Sequence, residues 1–505
     1  MKINQLKVGA ILSYISIGLG TLISILYTPI MLRLLGQNEY GLYSLVSSVI
    51  AYLGLLSLGF GSSYVRFYSR YKVKNQEENI AKLNGLFLIV FFIIGIVSLI
   101  FGIIFYINIG QILGNKLTIN EIEKAKYLIL IMVMNISFSF PLSVFNSYIT
   151  ANERFLFQKL VQILRTVVNP FIMLPILIMG YGSIGMVMVT FIVNILIGIL
   201  NVNYCKNKLK MKFLLKNPNF KLLKEISEFS FYVFLIMIVD QVNWNVDKFL
   251  LGRFKGTISV AIYGLAAQVS TYYVQIACII ATVFVPRINR IIASSSDNKL
   301  ITEIFIKIGR LQFILLSLIF TGFIFFGRPF VLFWAGKSYE KSYIIIIILI
   351  LTVTIPLIQH IGMEIYRAKN LHKFPAYCYI IIAVINVIIS IPLVKLYGAI
   401  GASIGTAISY VLGNGIIMNI YYFKIVKINT ILFWKNILGF FPGLVIISIL
   451  GILINRYFNL YNIYNFFILG IIYVIVFIFL MWKFGMNSYE KQLFKGLINK
   501  ILKIY

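Results

Sequence analysis

A 505-residue chain with only fifteen acidic residues makes the position of each one informative. Asp240 falls near the centre of an apolar run, and Asp247 follows seven residues on. Two turns of helix place both on one face, with Asn243 between them and Trp244 beside it. An ionised aspartate at mid-bilayer costs about 2.5–3.5 kcal/mol on insertion scales, so this face is expected to meet a hydrated cavity or a cation. The alternative is structural: Asp247 pairs with Lys248 or Arg33 and locks helices together.

The cations extend the pattern. Arg165 lies about two turns into another apolar run, flanked by Gln158 and Gln162, and suits a polar cavity. Arg66 and Arg287 end two further runs, and Arg33, near the opposite end of its own, is placed to close a route or meet a phosphate. Lys307 and Arg310 read as snorkelling, stem in hydrocarbon and head among lipid headgroups. His360 and Glu364 are four apart and share a face; a proton relay and a simple Glu364–Arg367 pair both fit. Reactive clusters are missing. Ala335-Gly336-Lys337-Ser338 looks like the end of a phosphate loop, but Val331 stands where its first glycine is required. Neither histidine has metal-ligand spacing, and no Gly-x-Ser-x-Gly elbow occurs. We therefore expect a protein that is not an enzyme and has no cofactor beyond a coupling Na+ or H+.

The elements that position these residues are membrane helices. Apolar residues make up 60% of the chain and charged ones 12%, about half the charge of a globular domain, and the mean hydropathy is +0.94. Runs long enough to span recur at 8–34, 41–65, 84–109, 122–149, 158–179, 183–203, 226–251, 258–286, 304–327, 342–366, 375–396, 399–423, 431–454 and 464–482. The expected fold is all-α, with about fourteen transmembrane helices. The first run is too long for the apolar core of a signal peptide. With the start taken as cytoplasmic, inner segments hold 29 cationic residues and outer segments 11. Positive-inside insertion accounts for the net charge of +30, with no need of nucleic acid. Both termini are thus expected in the cytoplasm, and Cys205, Cys278 and Cys378 as free thiols.

The chain also repeats itself. Leu35-Gly36 followed by Tyr40-Gly41-Leu42 answers Leu251-Gly252 followed by Tyr263-Gly264-Leu265. Pro141-Leu142 answers Pro356-Leu357. Asn169 and Pro175 answer Asn386 and Pro392, and Tyr181–Gly185 answers Tyr397–Gly401. Six helices per repeat make the halves parallel, with a route expected between them. This divides the chain into an N-terminal six-helix lobe (1–205), a Lys-rich linker containing Asn217-Pro218 (206–225), a C-terminal six-helix lobe (226–425), helices thirteen and fourteen (426–486) and a tail (487–505). Apolar residues at helical spacing make that tail an interfacial helix. Pro29, Pro141, Pro175, Pro356 and Pro392, with Gly59 and Gly61, mark expected kinks, and Gly401 and Gly405 a small-residue packing face.

Leu34-Leu35-Gly36-Gln37-Asn38-Glu39-Tyr40-Gly41-Leu42-Tyr43 resembles the opening signature of the polysaccharide repeat-unit flippases, the Wzx-type branch of the multidrug/oligosaccharidyl-lipid/polysaccharide exporter superfamily. Leu58–Gly61 with Val65-Arg66 is similar to that family's second-helix pattern, and Val246–Gly252 with Tyr263–Ala266 to its seventh-to-eighth. The resemblance covers essentially the whole chain. It implies transfer of an undecaprenyl-diphosphate-linked glycan across a bacterial cell membrane by alternating access, a cationic cavity between two lobes, and a lipid-tail groove at helices thirteen and fourteen. Polysaccharide assembly machinery would be a partner. Asp240 departs from what an anionic diphosphate needs; a coupling cation or sugar hydroxyls would suit it, with Asn243 and Trp244 adding polarity and stacking. Two alternatives are a cation-coupled drug or small-molecule antiporter of the same superfamily and a peptidoglycan-precursor flippase.

Overall fold

The computed structural model describes residues 5–502 apart from residues 115, 216–219, 295–296 and 372. The Asn217-Pro218 part of the expected linker lies outside the described residues. So do the side chains of Arg287 and of the tail positions 497–502. Among the described residues the secondary structure is helical, without a strand.

The first lobe is built from α1 (Gln5–Ile50), α2 (Phe60–Val73), α3 (Glu77–Ile107), the short α4 (Ile109–Leu113), α5 (Ile119–Ala151), α6 (Phe155–Ile178) and α7 (Gly182–Asn207). Then follow α8 (Phe220–Lys255), α9 (Thr257–Ser294), α10 (Asn298–Ala335), α11 (Ser342–Ile358), α12 (His360–Ala368), α13 (Lys373–Tyr410) and the short α14 (Met418–Tyr421). The chain ends with α15 (Thr430–Leu438), α16 (Phe441–Tyr457), α17 (Ile463–Leu480) and α18 (Ser488–Leu502).

Eleven stretches of described residues are long and apolar enough to cross a membrane. Two of them, Leu12–Val73 and Lys373–Val426, each supply two crossings, because Gly36 and Gly398 leave helical geometry inside them. The 36-residue α8, more polar than the others, supplies one more. The fourteen expected crossings are thereby met.

The chain packs as two compact units, Met1–Gly264 with Val387–Ala402, and Leu265–Asn386 with Ser403–Tyr505. α8 opens the second repeat in sequence yet packs in the first unit. In lipid no hydrophobic drive separates helix from helix, so close packing has to hold them. Gly95 and Gly102 on α3 supply it in the first unit, sitting against Ser137 and Val133 of α5. Beside them Tyr64, Phe87, Phe91 and Phe140 pack edge-on or stacked. The second unit has its own cluster around Phe440, Ile447, Tyr473 and Phe477.

Helix breaks fall mostly where glycine or a polar residue sits. Helix continues through Pro29, Pro141, Pro170 and Pro175. The second crossing instead breaks at a 3-10 turn, Ala51–Ser57, followed by Leu58 and Gly59 with left-handed backbone. Gly182 and Gly398, equivalent in the repeat, both have positive φ (56° and 61°). At Gly182 the reason is local as well: a Cβ there would collide with the Glu39 carboxylate. That carboxylate accepts from the Ser183 amide (2.6 Å) and hydroxyl (2.8 Å) at the start of α7, and from Lys124 (2.8 Å). An anion at a helix N-terminus is a favourable pairing, and here it joins two of the sequence motifs.

Candidate functional site

Three helices of the first unit carry polar residues with the same spacing. On α5 they are Ser139, Ser143 and Asn146; on α6, Gln158, Gln162 and Arg165; on α7, Asn194 and Asn201. Positions i, i+4 and i+7 share one helix face, and the three faces converge on a cavity of about 390 Å³. Gln158 donates to Asn146 (3.2 Å) and Thr150 (3.0 Å), and Asn194 donates to Asn135 (2.9 Å). Arg165 lies about 15 Å along α6 from its first residue, at 1.5 Å per residue. It is exposed, and it makes no ion pair or hydrogen bond among the described residues. A guanidinium ringed by amides and hydroxyls, with no acid on the cavity wall, can hold an anion bidentately while the amides bind hydroxyls. The sequence picked out Arg165, Gln158 and Gln162. Asn146, Asn194 and Asn201 were missed, although their spacing inside apolar runs was a signal.

A second polar region follows α8. This helix runs antiparallel to the broken second crossing and is tied to it along its length. Arg70 pairs with Glu225 (2.9 Å), Ser63 with Ser230 (2.6 Å), Gly59 packs on Val233, and Leu45 packs on Gly252. By that register the 3-10 break lies level with Asp240 and Asn243. Irregular backbone at membrane depth is tolerated where it is buried in protein or lines water. Asp240 is exposed, and the Asn243 side-chain oxygen is buried with no hydrogen-bond partner among the described residues. Asp247 differs: it is 1% exposed and accepts a 2.6 Å bond from the Tyr263 hydroxyl. Tyr52 and Lys248 lie within electrostatic reach of it. The two aspartates share a helix face but not an environment. Asp247 is built into packing; Asp240 is exposed.

The remaining expected residues disperse. Arg33 and Arg66 are exposed members of the first unit. Glu364 belongs to the second, paired with Arg367 at 3.1 Å. Arg310 does not snorkel. It is 5% exposed, and its Nε and Nη2 donate to both oxygens of Glu490 (2.6 and 2.9 Å). It also donates to the backbone oxygens of Asn436 (2.6 Å) and Gly485 (2.8 Å), and stacks on Phe440. A second unforeseen network joins Gln359, Asn419, Trp434 and Tyr379 around the π-helical segment Val411–Ile417. Gln359 and Trp434 both donate to Asn419 Oδ1 (2.8 and 2.9 Å), and Tyr379 donates to Asn414 (3.2 Å). Among the described residues no three His, Cys, Asp or Glu side chains gather as metal ligands.

The same unit carries an apolar cavity of about 600 Å³ between α10 and α17, lined by Phe323, Phe326, Phe330, Phe466, Phe467 and Tyr473. Gly322 and Gly470 lie on its walls, with open space where a Cβ would stand.

Membrane helices in this order, broken at Gly36, Ala51–Ser57 and Gly398, define an all-α polytopic membrane fold. The structure is similar to that of the lipid II flippase MurJ in an inward closed conformation. The TM-score is 0.72 at 18% identity, covering 97% of this chain and 99% of that one. It is also similar to an inward-facing multidrug resistance MATE family transporter of the MOP superfamily, with a TM-score of 0.60 at 16% identity, covering 80% of this chain and 96% of that one. In sequence it is 22% identical over 431 residues to the uncharacterized membrane protein EpsK of Bacillus subtilis (strain 168), covering 83% of this chain and 84% of that protein. The chain belongs to the polysaccharide biosynthesis protein family, whose profile matches residues 6–292.

Proposed function

We propose that the protein moves an undecaprenyl-diphosphate-linked oligosaccharide from the inner to the outer leaflet of a bacterial cell membrane, by alternating access and with both termini cytoplasmic. The observation that carries this reading is the convergence of three polar helix faces on Arg165, inside a chain of the polysaccharide biosynthesis family. Diphosphate and sugar hydroxyls need cation and amide together, and that cavity offers both. Support for the lipid half comes from the apolar cavity between α10 and α17. A lipid tail fits a wall that is almost wholly apolar, and both glycines keep it open. Asp240, level with the helix break, would couple transport to Na+ or H+. Polysaccharide assembly proteins would supply the substrate and receive it.

A cation-coupled small-molecule antiporter is the second reading, favoured by the exposed Asp240 beside irregular backbone. It has no use for the Arg165 cavity. Reconstitution with fluorescent lipid-linked oligosaccharide separates the two. Wild type should flip it, and Arg165→Ala and Asp240→Asn should each slow it by roughly 10-fold or more, the loss of one charge-assisted contact. Dye export without lipid flipping would favour the antiporter, and undiminished flipping in both variants would sink the site assignment.

A further inference from the structure

We propose that the second unit holds a site for one anionic phospholipid, at the end of the membrane helices where α13 begins. The site is a cavity of about 530 Å³ between the start of α13 and the stretch Ile417–Ile425. Its wall is apolar, built from Phe374, Ile417, Ile420 and Tyr421, and its rim carries Lys373 and Lys424. Among the described residues no acidic side chain lines it. Neither lysine makes an ion pair or hydrogen bond among the described residues, and both are exposed.

The cavity is built rather than incidental. The Tyr421 hydroxyl donates to the Leu371 carbonyl (2.7 Å), tying the twelfth crossing to the turn before α13. The Tyr421 ring stacks on Phe374, centroids 4.8 Å apart and planes 13° apart. Lys424 sits in a π-helical stretch, Tyr422–Val426, whose wider winding displaces the helix from regular register. Two lysines above an apolar slot reproduce the division of a phospholipid into phosphate and acyl chain. Basic pockets between membrane helices on the cytoplasmic side are suited to anionic headgroups. The cation bias places this end at the inner leaflet, where such lipids are the abundant anions. A pair of lysines that merely snorkelled would attract many lipids weakly; a slot with fixed walls holds one. The inference is independent of the transported substrate.

Native mass spectrometry of the full-length protein in mixed micelles tests it, with phosphatidylglycerol and phosphatidylcholine of identical chains as probes. One phosphatidylglycerol should bind saturably and in preference to phosphatidylcholine. Lys373→Ala with Lys424→Ala should weaken that binding roughly 30-fold, two surface charges' worth. Ile420→Trp, which fills the slot and leaves both lysines, should abolish it. Both variants should keep the wild-type melting temperature and elution profile. Equal binding of the two lipids, or unchanged binding in either variant, would overturn the proposal. So would displacement of the lipid by inorganic pyrophosphate, which would mark a site for the free anion.

Discussion

Arg165 and Arg310 are the same side chain, each about three turns from the start of a membrane helix, and they have opposite surroundings. Arg310 gives four hydrogen bonds, two of them to the carboxylate of Glu490, and is sealed from solvent. Arg165 faces a cavity of amides and hydroxyls with no acid among the described residues that line it. The first charge is neutralised inside the fold and fixes where α18 docks. The second is left for something that arrives. An arginine inside an apolar run therefore marks a polar requirement, and only its partners say whether that requirement is packing or binding.

The contrast breaks most easily at Arg310. Removing one member of a buried ion pair leaves the other charge stranded, at a cost of about 3–5 kcal/mol, whereas replacing both by apolar residues is often close to neutral. Arg310→Ala should therefore lower the melting temperature sharply in detergent, and Arg310→Met with Glu490→Leu should recover most of the loss. An Arg310→Ala protein that melts like wild type would remove the distinction. The next effect in size is at Asp247, whose bond from Tyr263 is buried on both sides. Tyr263→Phe should cost about 1.5–3 kcal/mol, the range for a hydrogen bond to a charged group. It should leave substrate transfer by the surviving folded protein nearly intact. Asp240→Asn should slow transfer.

Arg165→Ala sharpens the comparison from the other side. With no ion pair to break, it should change stability by no more than about 0.5 kcal/mol, as for an exposed position, while transfer falls. A melting temperature that drops as far as that of Arg310→Ala would place Arg165 among the packing residues.

These differences explain what was legible beforehand. The crossings were readable because about twenty apolar residues in a row have few other uses, and the repeat because its motifs recur in order, one glycine pair, Gly182 and Gly398, having positive φ at equivalent turns. The Arg165 cavity was half readable: its α6 face was visible as a spacing pattern, and the matching faces on α5 and α7 follow the same rule. The Glu490 partner was not. It lies 180 residues from Arg310, in a tail whose charges resemble a solvated face, and nothing in local spacing distinguishes a buried glutamate there. The break at Ala51–Ser57 was hidden in part, since Gly59 was visible but the 3-10 turn itself is written in apolar residues. The burial of Asp240 and Asp247, one exposed and one sealed, was likewise beyond periodicity, which assigns a face and not what covers it.

Lys369 supplies an intermediate case and the smallest expected effect. It lies between membrane crossings and donates to two neutral oxygens, Asn298 Oδ1 (3.0 Å) and the Val426 carbonyl (2.9 Å), with no carboxylate partner among the described residues. Burial accordingly lowers its ammonium below the usual lysine value. As pH rises the folded chain releases this proton before the unfolded chain does. Between the two values the unfolded state binds more protons, and stability increases with pH. Lys369→Arg keeps its charge throughout that range. The difference in melting temperature, wild type minus Lys369→Arg, should therefore be flat at neutral pH and climb as pH approaches the ordinary lysine range. A difference that falls instead would mean that Lys369, like Arg310, has its charge stabilised within the fold. The series would then separate buried cations by burial alone, not by the chemistry of what they touch.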